Sequence, residues 1–144
     1  MADIQWSSPQ SLSYIDPGKL VTFTAMHQAE DTQYVQIIDA SNQPISFYCL
    51  DGSQAKFPIS GSGTEVGFLQ NGAGRFTMAS GMQVQFGSSG PYVPLVAAST
   101  EAVFFLVDKM RGGGVLYVTE DGGPDGDMDY NDTSVVIQWY ETPG

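Results

Sequence analysis

Six carboxylates and one carboxamide stand within thirteen residues near the end of the chain, in the run Glu120-Asp121-Gly122-Gly123-Pro124-Asp125-Gly126-Asp127-Met128-Asp129-Tyr130-Asn131-Asp132. Like charges this close on one backbone repel one another at neutral pH unless solvent or a cation offsets them. The donors are all oxygen, with no histidine or cysteine among them. Hard oxygen sets suit Ca2+ and offer little to zinc or copper. Asp125, Asp127, Asp129 and Asn131 fall at every second position, a spacing that turns all four side chains to one side in extended backbone. Asp132 follows directly and can supply a ligand from the other direction. Glu120 closes the strand-like run 114–119, from where it can lean across the loop.

Three readings compete for residues 120–132: a solvated acidic turn, a structural calcium clamp, and calcium used within a binding site. The regular spacing argues against the first. An EF-hand fails in either register. Starting from Asp125 puts Tyr130 where the sharp turn needs glycine and Val136 where the bidentate Glu belongs, and starting from Asp127 gives Asp132 and Gln138. The flanks also read as strand rather than helix.

The elements that must hold this loop are short runs of alternating apolar and polar residues. Lys19–Met26, Gln33–Ile38, Gly81–Phe86 and Thr133–Tyr140 fit strands with one buried face, and helical spacing is nowhere sustained. Turn signals separate them at 16–18, 51–52, 60–63, 71–74, 88–91 and 111–114, each with glycine present. The pattern predicts an all-β fold, an antiparallel β-sandwich of about nine or ten strands. The stretch 101–107 is apolar from Ala102 to Val107 without alternation. Such a strand is expected to be covered on both faces, within the core or at an oligomer interface. No internal repeat or dividing linker is present, and 144 residues suit one domain over 1–144.

A net charge of -11 and a pI near 4.1 disfavour nucleic acid and anionic membranes as partners. The single cysteine, Cys49, lies in an apolar stretch and reads as a buried thiol. Neither a signal-peptide pattern at the start nor an apolar run of membrane-spanning length is found, so the expectation is a soluble protein without membrane insertion, cytoplasmic or exported by a leaderless route. His27, the only histidine, lacks a partnering Ser or Cys pattern and reads as a loop or surface residue rather than a catalytic base. Glu120 and Asp127 as a glycosidase pair are disfavoured, because acids this crowded suit a cation better than a proton donor. Trp6, Trp139 and the tyrosines read as packing residues before sugar-stacking ones. The glycine-rich segment 111–114 lacks the Lys-Ser/Thr and helix of a phosphate loop and is expected to form a hairpin turn.

The segments 120–122, 127–132 and 135–139, with Gly144 behind them, resemble the close of the calcium-dependent fucose- and mannose-binding bacterial lectins related to the second Pseudomonas lectin. A weaker likeness covers 21–25 and 32–37. The resemblance implies a β-sandwich in which two adjacent Ca2+ ions are coordinated directly by hydroxyls of a monosaccharide or glycan terminus. It assigns Glu120, Asp127, Asp129, Asn131 and Asp132 as metal ligands. Asp121, Asp127, Asp129 and Asp132 would also accept hydrogen bonds from the sugar. The carboxylate of Gly144 would complete the site of a partner subunit, which implies a homodimer or homotetramer.

The chain departs from that pattern in three places. Three additional residues between Glu120 and Asp127 make Asp125 an alternative ligand to Glu120. The early loop reads His27-Gln28-Ala29-Glu30-Asp31 where the family has an Asn ligand and small residues, so Gln28 is the closest amide, and Glu30 and Asp31 are possible replacements. The tail after Trp139 is two residues longer. The resulting expectation is a non-enzymatic, calcium-dependent lectin. Its rival is an adhesive or structural β-sandwich in which calcium only stiffens the loop.

Overall fold

The computed structural model describes residues 3–50, 58–62, 66–69 and 73–142; side chains are described except at His27 and over 44–73. The side chain of Cys49, the turn signal at 51–52 and Gly144 therefore lie outside what is described. In chain order the strands are β1 (Gln5–Trp6), β2 (Gln10–Ser11), β3 (Leu20–His27), β4 (Gln33–Ile38), β5 (Pro44–Leu50), β6 (Pro58–Ser62), β7 (Val66–Leu69), β8 (Ala73–Thr77), β9 (Gln83–Ser88), β10 (Leu95–Ala98), β11 (Ala102–Leu106), β12 (Lys109–Glu120) and β13 (Thr133–Tyr140). They form two antiparallel sheets. One has the order β1-β9-β4-β5-β6, with β2 also on β9, and the other β10-β12-β13-β3-β8-β7, with β11 also on β12. This is the expected all-β sandwich, with two-residue ladders such as β1 and β2 added to the longer strands. No helix among the described residues is long and apolar enough to cross a membrane.

The two-residue period of a strand explains the core. In β13, Thr133, Val135, Ile137 and Trp139 are buried while the residues between them are not. They meet Val21, Phe23 and Ala25 of β3, Val115 and Tyr117 of β12, and, from the other sheet, Val35, Ile37, Val84 and Phe86. Phe86 and Tyr117 join the layers directly, ring centroids 5.8 Å apart. Each such fully buried side chain contributes roughly 1.5–3 kcal/mol. Trp139 is buried in this core, beside the ring of Tyr14 at 5.6 Å, as a packing residue.

Two expectations are corrected. Residues 111–114 are not a turn but lie inside β12; the chain reverses at Val107 and Asp108, both left-handed at φ 54° and 56°. The glycines answer a close approach instead. A Cβ at Gly112 would lie 2.0 Å from the Trp139 carbonyl oxygen, and one at Gly113 2.1 Å from the Trp139 ring. Gly113→Ala is therefore expected to destabilise the fold by about 1–3 kcal/mol, the usual range for overpacking, measurable by urea unfolding. An unchanged midpoint would contradict that packing. The stretch 101–107, expected to be covered on both faces, is exposed at every residue, because β11 is an outer strand paired only with β12.

The acidic loop gains its position from this register. β12 and β13 are neighbours with Thr119 opposite Thr133, so residues 121–132 bridge their ends. β3 lies on the other side of β13 with His27 opposite Thr133, which brings the β3–β4 loop alongside. The Gln28 amide donates to the Asp132 carbonyl at 3.2 Å and the Asp132 amide to that of Thr119 at 3.2 Å.

Candidate functional site

The two loops enclose a hollow of about 540 Å³. The β3–β4 loop lines it with Gln28, Ala29, Glu30 and Asp31, and the β12–β13 loop with Glu120, Asp121, Gly122, Asp125, Gly126, Asp127, Asp129, Asn131 and Asp132. Eight carboxylates converge there, half of the sixteen acidic side chains in the chain, with no Lys or Arg among the lining residues. Every position singled out by sequence except Gly144, which is not described, reaches this one hollow.

The loop does not reach that arrangement by extended backbone. Residues Gly123–Asp125 form a 3-10 turn, and Met128 and Tyr130 are left-handed at φ 59° and 55°. The alternation of these residues with Asp127, Asp129 and Asn131 winds the chain so that the acidic side chains still converge. The Asp129 amide donates to Asp127 Oδ1 at 3.4 Å, the Asn131 amide to Asp129 Oδ1 at 3.3 Å, and Asn131 Nδ2 to Asp129 Oδ2 at 2.6 Å.

Glu120 forms the floor. It is 2% exposed, its Oε1 accepts the Gly122 amide at 2.9 Å, and its Oε2 has no hydrogen-bond partner. Gly122 and Gly126 let the loop close over it, since a Cβ at Gly126 would stand 2.6 Å from Oε1. A buried carboxylate oxygen without a partner is costly in a folded protein. It belongs to two oxygen clusters, each with ligand atoms within 4.8 Å of one another: Glu120 with Asp127 and Asp129, and Glu120 with Asp121 and Asp132. One buried carboxylate is thus common to two adjacent cation-sized groups. All donors are hard oxygens, and the residues fit calcium. Asp125 lines the hollow but joins neither cluster.

Behind Asp121 lies a polar network absent from the sequence expectations. Gln33 Nε2 donates to Asp121 Oδ2 at 2.6 Å, Ser88 Oγ donates to the same oxygen at 3.0 Å, and Thr133 Oγ1 donates to Gln33 Oε1 at 3.2 Å. Gln33, Ser88 and Thr133 are each at most 1% exposed. Together they fix the Asp121 carboxylate. A signal existed: alternation along β4 puts Gln33 on the face of Val35 and Ile37, a polar residue at a core position.

The crowding shows in proton affinity. Burial, then the charges of Asp121 and Glu120, push Asp132 up to about 7 from 3.8 despite the hydrogen bond from the Asp121 amide. Burial, Asp121 and Glu30 also raise Asp31. Because Asp132 is raised in the folded state, the stability it contributes is complete below its unfolded value and lost as pH rises through about 7. Protein stripped with EDTA is therefore expected to melt at a higher temperature near pH ~5.5 than near pH ~8. Calcium should raise the melting temperature more at the higher pH, where it displaces no proton from Asp132. Scanning calorimetry at both pH values checks this, and a stripped protein more stable at the higher pH would refute it.

The family described as fucose-binding lectin II (PA-IIL) matches residues 13–141. Among solved structures, the chain is similar to the lectin CV2L of Chromobacterium violaceum, solved in complex with α-methyl-fucoside, at 19% identity and a TM-score of 0.59 over 90% of this chain and 94% of that one. It is also similar to a high-affinity mannose-binding lectin of Ralstonia solanacearum, at 19% identity and a TM-score of 0.61 with the same coverage. No curated protein matches.

Proposed function

The chain belongs to the fucose-binding lectin II (PA-IIL) family, and we propose that its acidic hollow is where it holds calcium and, on that calcium, a monosaccharide. It is a carbohydrate-binding lectin. The observation that carries the calcium assignment is the buried Glu120 carboxylate, with one oxygen unpartnered, shared by two oxygen clusters. Glu120, Asp127, Asp129, Asn131 and Asp132 would hold two ions. When bound, calcium supplies positions at which neighbouring hydroxyls replace water.

The chain's own residues do the remainder. Sugars are strongly hydrated and present little apolar area, so ordinary burial gains little. Carboxylates of Asp121, Asp127, Asp129 and Asp132 instead accept hydroxyl protons in charge-assisted hydrogen bonds, roughly twice as strong as neutral ones. The clamp from Gln33 and Ser88 occupies one oxygen of Asp121 and leaves its other for the ligand. Gln28 and Glu30, exposed on the opposite rim, contact the sugar face and set preference among sugars. The relatives' ligands, α-methyl-fucoside and mannose, define the class. Binding rather than turnover is the role of a site whose acids are committed to cations.

β13 leads away from the hollow, so Thr142, the last described residue, lies at the opposite end of the sandwich. A carboxylate at Gly144 would serve the site of a partner subunit, in a homodimer or homotetramer. Oligomeric sites add avidity on glycan surfaces. Deleting Gly144 is expected to weaken sugar binding about tenfold or more, the usual scale for losing a supporting group at a metal site; unchanged affinity would remove the shared tail. The central test is calorimetric titration with α-methyl-fucoside and with mannose, in calcium and in EDTA. Heat of binding in calcium alone supports the reading. Calcium uptake without sugar binding would leave a purely structural clamp.

A further inference from the structure

The segment 89–94 joins β9 to β10 at the same end of the sandwich as the acidic hollow. β9 ends at Ser88, opposite Gln33, and β10 begins at Leu95, opposite Glu120, so both ends of this loop are fixed beside the site. Ser89 and Thr32 exchange hydrogen bonds, from the Ser89 amide to the Thr32 carbonyl at 2.9 Å and from the Thr32 amide to Ser89 Oγ at 3.0 Å. The Gly90 amide donates to Ser88 Oγ at 3.0 Å, and a Cβ at Gly90 would run into Asp31 Oδ2. Pro91 and Pro94 restrict their own backbone, and Pro94 is buried. The loop is thus held in place before any ligand arrives. Between the prolines, however, Tyr92 is 41% exposed and Val93 51%.

Tyr92 lies against Gly123 of the β12–β13 loop. A Cβ at Gly123 would stand 2.5 Å from Tyr92 Cγ and 2.6 and 2.7 Å from its two Cδ atoms. Three ring atoms at nearly equal distance place that point above the ring plane, so the glycine covers one face of the ring. Gly122 before it and Asp125 after it line the hollow. One Cα step of about 3.8 Å and a van der Waals contact of about 4 Å therefore separate the wall of the hollow from the ring, roughly the breadth of one further sugar. With one face on Gly123, the exposure of Tyr92 comes chiefly from its opposite face and its edge.

We propose that Tyr92 forms a subsite for a second sugar residue: a neutral pyranose joined to the coordinated monosaccharide and carrying C–H groups on one face, as glucose and galactose do. That face is the apolar side of a sugar, and its hydrogens meet the negative face of the aromatic quadrupole. The hollow has eight carboxylates and no aromatic side chain among its lining residues, so Tyr92 supplies a recognition chemistry that the hollow lacks. The same carboxylates repel an acidic sugar and leave a neutral one unaffected. A ring already fixed by its loop loses little freedom when a ligand stacks on it.

The subsite rests on the monosaccharide site proposed above, and one experiment separates the two. Calorimetric titration in calcium compares methyl α-fucoside and methyl α-mannoside with disaccharides in which fucose or mannose is linked to each hydroxyl in turn of methyl β-galactoside or methyl β-glucoside. At least one disaccharide is expected to bind wild type roughly tenfold more tightly than its monosaccharide, equivalent to about 1.4 kcal/mol and on the scale of one stacked ring. Tyr92→Ala should remove that gain and leave monosaccharide affinity unchanged, while Tyr92→Phe should keep the gain. Tyr92→Leu, which still covers Gly123 but has no aromatic face, should lose most of it, with the melting temperature in EDTA as the folding control. Monosaccharide binding without a gain from any second sugar would overturn the subsite and leave the lectin reading standing. Equal losses for monosaccharide and disaccharide in Tyr92→Ala would also overturn it, leaving Tyr92 a support of the loop. Binding of neither kind of ligand would remove the monosaccharide site and the subsite with it.

Discussion

Glu120→Gln is expected to remove most of the stabilisation by calcium while making the stripped protein more stable than wild type. The two effects have one cause. In the stripped protein Glu120 is 2% exposed, and its Oε2 meets no donor; leaving a buried polar group unsatisfied costs about 1–3 kcal/mol, more when it is charged. A glutamine keeps an oxygen for the Gly122 amide, which Oε1 now accepts at 2.9 Å. Its amide NH2 can donate to the acids of the two clusters, Asp127, Asp129, Asp121 and Asp132. The same exchange removes the one carboxylate that both clusters share. Loss of a buried charge partner costs about 3–5 kcal/mol, equivalent to roughly 100-fold or more in calcium affinity. Wild type should gain about 4 kcal/mol at calcium ~1,000-fold above its dissociation constant, and the variant, at the same calcium, no more than about 1.4 kcal/mol. Scanning calorimetry with calcium and with EDTA reads both effects. A variant with the wild-type calcium response would remove Glu120 from the metal site.

Asp129→Ala should separate binding from folding. Asp129 is exposed on the loop, and its described hydrogen bonds are local, to the amide and side chain of Asn131. Surface substitutions of this kind usually change stability by within ~0.5 kcal/mol, so the melting temperature in EDTA should hardly move. Yet Asp129 belongs to the cluster with Glu120 and Asp127, and its partner Asn131 loses its anchor with it. Calcium-dependent binding of α-methyl-fucoside is expected to fall by more than about 100-fold, the scale of losing a charged ligand. Titration of the variant with that sugar at the wild-type affinity would count against the assignment.

The legible part of the chain was local. β4 and β13 fall within the limits set by alternation, Gln33–Ile38 and Thr133–Tyr140, because a two-residue period is a property of the strand itself. The acidic run was legible as a set of hard oxygen donors from residue type alone, and the structure brings those donors together. Its backbone was not: Met128 and Tyr130 are left-handed, and neither residue announces it. The glycines at 111–114 were misleading because glycine serves turns and close approaches alike. Only the pairing of Gly113 with Trp139 decides between them.

The amino-acid order therefore determined the all-β class, the hard-oxygen chemistry and the loop that carries it, since periodicity and donor identity are written residue by residue. Only the tertiary structure decided that Glu120 is buried and common to two clusters, that Gln33 and Ser88 grip Asp121, and that the apolar stretch 102–107 faces outward instead of inward. Each of these depends on which distant strands become neighbours and in what register. That selection is made by packing the two sheets together, a sum over contacts that no short segment of sequence contains.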